Sequence, residues 1–380
     1  MAIDLMLNWE HPMRKFIPIA EPSITQREIN YVTDAVKSGW VSSLGHYITE
    51  FEKKFAEYIG VKYALTTSNG TTALHLALVT LKIKEGDEVI VPDLTFVATA
   101  NAVAYTRAKP IMVDVEPDTW CINPNCIKKA ISKKTKAIIP VHLYGHPADM
   151  DEINKVAKEY GLYVIEDAAE AHGAEYKDKK VGSLGDVGVF SFYGNKIITT
   201  GEGGMITTND EKLYQRAKFL RDHAMNPEKR YWHPEIGYNY RMTNLQAALG
   251  LAQLERIDEL IEKKRQILGW YKEFLGDLEG IRLNPEKEWA KNVFWMVCIV
   301  LEKELGISRD ELMAKLKEKG IDTRPFFYPM SQMPMYNSGE VRSVTYNLSE
   351  RGLNLPSGVN LNKDEVQWIC ETIKTILKHT

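Results

Sequence analysis

Asp186-Val187-Gly188-Val189-Phe190-Ser191-Phe192-Tyr193-Gly194-Asn195-Lys196 reads as a buried strand whose polar end delivers a lysine. Val187, Val189, Phe190 and Phe192 give an apolar run of strand length, and the small and polar residues after it break the pattern. The Gly-rich turn Thr200-Gly201-Glu202-Gly203-Gly204 follows and leads into another short strand. Working outward, strands are expected near residues 61–67, 87–92, 109–115, 136–141, 162–167, 186–192 and 204–207, with helical periodicity between most of them. This alternation predicts an α/β fold with a seven-stranded, mainly parallel sheet covered on both faces. Sheets of that kind bind ligands beyond the C-terminal ends of their strands, so residues that end strands are the first candidates for chemistry.

Lys196 is one of them. A lysine amine becomes a carbonyl-reactive nucleophile when it is partly desolvated or held near other cationic groups. A solvated lysine is the competing reading in a chain with 48 Lys and Arg, so the other strand ends must decide. Residues 61–67 run into Ser68-Asn69-Gly70-Thr71-Thr72 and then the apolar helix Ala73-Leu74-His75-Leu76-Ala77-Leu78. Free N–H groups at a helix start, flanking hydroxyls and a glycine that permits close approach suit a phosphate, although an ordinary N-cap uses the same residue types. Leu162-Tyr163-Val164-Ile165-Glu166-Asp167 closes an apolar run with a carboxylate. Such an Asp either caps the next helix or, if buried against a pyridine nitrogen, keeps that nitrogen protonated. Phe96 ends the fourth such segment and is either core or a platform for a flat ring. Phosphate cradle, aromatic ring, aspartate, serine and lysine in this order are the parts needed to hold pyridoxal 5'-phosphate.

The chain resembles the pyridoxal-phosphate-dependent sugar aminotransferases of the DegT/DnrJ/EryC1/StrS type, the group that includes the erythromycin and streptomycin sugar enzymes. The resemblance runs over essentially the whole chain after about residue 15, and its most specific elements are 166–173, 191–196 with 200–204, and Gly237-Tyr238-Asn239-Tyr240-Arg241-Met242-Thr243-Asn244. It implies the fold type I architecture of aspartate aminotransferase, a large domain with a smaller C-terminal α/β domain. It further implies that Lys196 forms the Schiff base and then shuttles a proton between cofactor and sugar carbon, and that Asp167 pairs with the pyridine nitrogen. Gly70, Thr71, Thr72 and Ser191 would hold the phosphate, joined by Asn239 from the second subunit of a homodimer with shared sites. Phe96 would stack on the ring, and Glu170, where many members have Gln, would lie near the phenolic oxygen. A branch of the fold replaces the lysine with histidine and performs dehydration; Lys196 favours transamination.

Further segments resemble one subgroup: 38–43, Arg230-Tyr231-Trp232-His233, Arg324-Pro325-Phe326-Phe327-Tyr328-Pro329, 334–336 and 352–357. That subgroup aminates C4 of a nucleotide-linked sugar, GDP-4-keto-6-deoxy-D-mannose, with L-glutamate as donor; relatives acting on UDP- or dTDP-linked sugars carry similar sequences. The substrate candidates are Trp232, His233, Arg241, Arg324, Phe326 and Tyr328. Guanidinium groups suit a diphosphate and aromatic rings suit base or sugar faces, while a surface ion pair and simple packing are the competing roles.

Composition bounds the rest. At 380 residues with 44% hydrophobic residues, the chain can bury a large core and a smaller one. We expect an N-terminal extension at 1–15, a cofactor-binding domain at 16–255 and a small domain at 256–380, with one long helix running from Thr243-Asn244 through Ile261 between them. Val293–Val300 is expected as a strand, with helices near 308–319 and 363–378. A net charge of −3 and no basic patch interleaved with aromatics argue against nucleic-acid binding. No segment reaches membrane-spanning length, the first 16 residues lack a signal-peptide core, and four unpaired-looking cysteines suit a reducing cytoplasm. No P-loop occurs, the 201–204 turn precedes a strand rather than a dinucleotide-binding helix, and His142, His146 and Asp149 make a poor metal set, so no metal is expected. A binding protein that has kept the fold and lost the chemistry is the non-enzyme alternative; retention of Lys196, Asp167 and Ser191 together argues against it.

Overall fold

The computed structural model describes residues 16–337 and 339–378, so the extension expected at 1–15 lies outside the described residues. All seven expected strands form, and they make one sheet in the order Tyr63–Thr67, Gly204–Thr208, Val187–Ser191, Tyr163–Asp167, Thr135–Ile138, Glu88–Pro92, Lys109–Val113. Every neighbour pairing is parallel except the two made by Gly204–Thr208, which runs antiparallel to both of its neighbours.

The sheet is buried on both faces because successive strand residues feed different cores. Val89, Val91, Ala137, Ile139, Ile165, Val187, Val189 and Ile206 pack on one side with the helices Gly70–Thr80, Ala98–Tyr105 and Glu211–Arg221. Ile90, Ile138, Val164 and Phe190 point the other way, towards the helices His46–Ile59, Met150–Tyr160 and Asn244–Leu254. The two-residue period of a strand therefore reads as a continuous apolar run, as expected for a parallel sheet with helices on both sides. The C-terminal part builds an antiparallel sheet, Ile281–Leu283, Val297–Leu301, Gly352–Leu355 and Arg324–Pro325 in that order, with its own core of Val297, Ile299, Leu353, Leu312, Ile369 and their neighbours.

Two expectations need correction. The long helix is two, Asn244–Leu254 and Ile257–Leu275, broken at Glu255 and Arg256. Arg256 leaves helical geometry, and its guanidinium bonds Glu28 at 2.9 Å, Ser23 at 3.2 Å and Glu259 at 2.9 Å, a cluster that Gln253 joins by donating to Glu28 at 2.7 Å. Tertiary bonding at the joint outweighs an apolar periodicity that runs through it. The strand expected from Val293 begins only at Val297. Phe294 sits at φ 48° in the left-handed region and donates its N–H to the Asn292 side chain at 2.7 Å, so the chain turns before it pairs.

One buried acid holds the middle of the sheet to its loops. Glu166, fully buried, accepts from the N–H groups of Gly182 (2.8 Å), Leu184 (2.6 Å) and Gly185 (2.7 Å) and lies 3.0 Å from His142 Nε2. His142 Nδ1 accepts the Ala148 N–H at 3.0 Å, so the ring proton is on Nε2 and points at Glu166. Glu166→Gln turns one acceptor into a donor facing donors. It should cost on the order of 3 kcal/mol of stability, as a buried charged hydrogen-bond partner does when it is lost, read by urea unfolding with the m-value unchanged.

Candidate active site

The site begins where the first strand meets its helix. Asn69 caps the helix Gly70–Thr80, its side chain accepting from the Thr72 N–H at 2.9 Å, while the Thr72 hydroxyl accepts from the Asn69 N–H at 3.1 Å and donates to the Asn69 carbonyl at 2.8 Å. The reciprocal cap leaves the N–H groups of Gly70 and Thr71 as first-turn donors with no acceptor inside the helix. It also corrects the expectation for Thr72, whose hydroxyl is used up in the cap. Gly70 is needed for closeness: a Cβ there would stand 2.8 Å from Ser191 Cβ and 3.2 Å from Ser191 Oγ. Ser191 and the helix N-terminus thus form one small polar cradle suited to an anion.

Asp167 ends the central strand and is 5% exposed. Its Oδ2 accepts from the Thr99 hydroxyl at 2.8 Å and its Oδ1 from the Ala169 N–H at 3.2 Å. Backbone bonds to Pro140 (2.9 Å) and from His142 (3.1 Å) fix the residue itself. Burial raises the Asp167 pKa, with the two hydrogen bonds and Lys196 opposing. Glu170 follows one turn later. Its Oε2 accepts the Tyr144 N–H at 2.8 Å, its Oε1 lies 3.8 Å from Lys196 Nζ, and burial lifts it to about 7 against the pull of Lys196. Burial correspondingly lowers Lys196 from the usual lysine range, although Glu170 and Asp167 draw it back. An amine whose charged form is disfavoured is the nucleophile a carbonyl requires.

These groups share a cavity of about 390 Å³, whose wall includes Gly70, Thr71, Phe96, Asp167, Glu170, Ser191 and Lys196. The structure therefore brings together seven of the nine expected cofactor contacts. Thr72 is held in its cap, and Asn239 is exposed outside the cavity, bridged to Asp222. None of the expected substrate contacts lines it either. Trp232 and His233 lie on an exposed loop, with the Lys229 ammonium 4.2 Å from the Trp232 ring centroid and His233 Nδ1 2.9 Å from the His223 carbonyl. Arg241 bonds Ser43 and pairs with Asp222, and Arg324 pairs with Asp322. Tyr328 is exposed beside Arg309. Phe326 is the clear correction: it has no exposed surface and packs against Trp120 and Tyr144 with centroids at 5.2 and 4.8 Å, so it is core and not a substrate surface.

Sequence reading missed Thr99, Trp295 and Phe327. Thr99 sits three residues past Phe96, a helical spacing from a residue already singled out, and that was the available signal. Trp295 and Phe327 reach the cavity from the C-terminal part, which no local pattern announces. The three residues weighed as a metal set are otherwise engaged: His142 with Glu166, His146 with the Pro147 carbonyl and the Lys287 N–H, Asp149 with the Tyr176 hydroxyl.

A desolvated lysine, a buried carboxyl, an anion cradle and a flat aromatic wall in one cavity define a site for an aldehyde-bearing, phosphorylated cofactor. The chain belongs to the DegT/DnrJ/EryC1/StrS aminotransferase family, which it matches over residues 22–374. It is 49% identical over 360 residues to GDP-perosamine synthase of Escherichia coli O157:H7, covering 94% of this chain and 98% of that one. It is 47% identical over 366 residues to GDP-perosamine synthase of Caulobacter vibrioides, covering 95% and 98%. Among solved structures, Spr1654 of Streptococcus pneumoniae in its PMP form superimposes with a TM-score of 0.90 at 29% identity, over 96% of this chain and 98% of that chain. The protein is a pyridoxal-phosphate-dependent sugar aminotransferase with the fold type I architecture.

His172, behind the site, gives a pH signature. It is fully buried beside Phe190 and Phe192 (centroids 5.5 and 5.6 Å), and burial, reinforced by Lys196, lowers its pKa to about 3. The unfolded chain takes a proton below pH 6.5 that the folded chain refuses until about 3, so stability must fall as pH drops through that window. His172→Leu should remove about 2 kcal/mol of the stability loss between pH 7.5 and 5, read by denaturant unfolding at the two pH values.

Proposed function

We propose that the protein aminates C4 of GDP-4-keto-6-deoxy-D-mannose with L-glutamate as donor, forming GDP-perosamine. The observation that carries the choice of sugar is the identity of 49% and 47% to two GDP-perosamine synthases over nearly the whole chain. Pyridoxal phosphate, when bound, supplies an electron sink for the carbon that gains or loses the amine. The residues present fit that group, because the cradle at Gly70 and Ser191 would be filled by any added Cβ and because the lysine and carboxyl are both desolvated.

In this reading Gly70 and Thr71 offer N–H groups and Ser191 a hydroxyl to the phosphate. Phe96, half exposed in the cavity, covers one ring face. Asp167 accepts the ring N–H, and Thr99 keeps its carboxyl turned inward. Lys196 holds the cofactor by its amine and, once released, takes the proton from the substrate carbon and returns it. Trp295 and Phe327 close the cavity against water.

We infer also a homodimer. Trp232, His233 and Asn239 are exposed, and Arg241 half-buried, on one stretch outside their own chain's cavity, which suits residues that complete the site of a second copy. The break at Glu255 and Arg256 supports placing the end of the cofactor-binding domain at 255 and the small domain at 256–380. Among the described residues no helix is long and apolar enough to cross a membrane, which fits the proposed cytoplasmic location.

The test is a panel of GDP-, UDP- and dTDP-linked 4-keto-6-deoxy sugars with L-glutamate, scored by mass spectrometry. The GDP-mannose-derived sugar should give the highest kcat/KM, and borohydride should fix the cofactor on Lys196. A UDP- or dTDP-linked sugar preferred by more than about tenfold, roughly 1.4 kcal/mol of transition-state preference, would overturn the sugar assignment and leave the transaminase standing.

A further inference from the structure

We propose that Trp295 is a catalytic residue of the transamination: its indole face is the berth that receives the Lys196 amine as that amine takes on a proton. The proposal rests on the reading above in which Lys196 moves the proton. Lys196 Nζ lies 3.9 Å from the Trp295 ring centroid, with Glu170 Oε1 at 3.8 Å. The amine is thus held between an aromatic face and a carboxyl group in a pocket that excludes most water.

The ring is fixed from four directions. Its Nε1–H donates to the Asn195 carbonyl at 2.7 Å, which ties the indole to the peptide that carries Lys196. Tyr144 lies nearly parallel to it, with centroids 6.2 Å apart and planes 19° apart, and the same Tyr144 holds Glu170 through its N–H. The Trp295 carbonyl accepts from Lys264 Nζ at 3.0 Å, and Lys264, itself buried, also donates to the Ser357 carbonyl at 2.5 Å. The left-handed turn at Phe294, held by Asn292, sets the direction in which the indole leaves the chain. Lys196, Glu170, Tyr144 and Trp295 therefore form one rigid arrangement drawn from four separate stretches of sequence. A surface tryptophan packed for burial alone needs none of these bonds.

The chemistry gives the arrangement its use. When the substrate C–H bond breaks, the proton goes to Lys196 Nζ, a new N–H bond forms, and the electron pair left on carbon passes into the ring of the bound cofactor. At Nζ the change is from neutral amine to ammonium in a desolvated place. The face of an indole attracts a cation through its quadrupole, most strongly where water is absent, and does nothing comparable for a neutral amine. Trp295 thus favours the protonated product of that step over the neutral reactant. The ionisable groups facing Nζ are Asp167 at the end of the central strand and Glu170 and His172 just after it, with Glu202 farther along the cavity wall. His172 is held neutral above about pH 3 and Asp167 is committed to its own hydrogen bonds, so Glu170 and Trp295 share the ammonium.

Two measurements on W295L and W295F decide the matter. In cofactor-stripped full-length protein, the pH dependence of Lys196 acylation by acetic anhydride, counted by peptide mass spectrometry, gives the amine's midpoint. W295L should lower that midpoint by roughly one pH unit, about 1.4 kcal/mol, and W295F by less. In the loaded enzyme, W295L should lower kcat with L-glutamate about tenfold with KM within about twofold. The primary isotope effect with 2-deuterated glutamate should rise, since proton abstraction becomes the slower step. A structural filler would leave both the midpoint and the isotope effect where they are in wild type, and that result in either measurement overturns the proposal. If W295L does not fold, W295F decides through the isotope effect. If wild type itself fails to react with glutamate, the functional reading is at fault, and the acylation midpoint alone then decides the role of Trp295.

Discussion

A carboxyl group kept out of water at the end of the central strand is the constraint around which the site is organised. Asp167 is buried with a hydroxyl from Thr99 and one backbone N–H as its hydrogen-bond partners, and burial disfavours its charge. Such a group is costly to bury unless something compensates it. A protonated pyridine ring placed against it would do so, and the cavity beside Asp167 has the cradle, platform and lysine to hold that ring at that spot. The neighbouring Glu166 removes any slack: three loop N–H groups and His142 fasten it, so the strand end cannot shift to relieve Asp167.

The rest of the architecture delivers groups to that point. Parallel strands end on one edge: Asp167 pairs with Val189, Ser191 follows two residues on along that neighbouring strand, and the start of the helix Gly70–Thr80 lies against Ser191. The C-terminal part contributes the far wall. Asp93, fully buried at the end of the strand Glu88–Pro92, accepts both the N–H and the hydroxyl of Ser331 at 2.7 Å, and so ties down the stretch that carries Phe327 over the cavity. Phe327 meets Phe96 with ring centroids 5.8 Å apart. The wall facing the cofactor is thus pinned to the sheet that carries it, and the lysine, its carboxyl neighbour and the indole above it keep fixed spacing.

Much of this was legible in the sequence. Strand-end residues are readable because an apolar run of strand length stops abruptly at a polar residue, as at Ile165-Glu166-Asp167 and Phe190-Ser191, and because an open sheet puts such ends together. Lys196, Asp167, Ser191 and Gly70 are singled out in this way, and the structure places all four on the wall of one cavity. Features set by distant contacts were not. The joint at Arg256 depends on Glu28, more than two hundred residues away; Phe326 looks like a loop aromatic beside proline until Trp120 and Tyr144 enclose it; and Trp295 enters the site only because Phe294 turns left-handed. Periodicity carries no information on any of these. Thr72 failed for another reason, since a phosphate cradle and a capping box use the same hydroxyl, and only geometry shows which of the two holds it.

The pairing of Asp167 with the ring nitrogen is open to direct observation by nitrogen NMR of the full-length protein loaded with pyridoxal phosphate carrying 15N in its ring. A buried carboxyl at that nitrogen should keep it protonated at pH 8, and Asp167→Asn should move the resonance to the neutral pyridine position. A wild-type resonance already at the neutral position at pH 8 would contradict the arrangement proposed for this site.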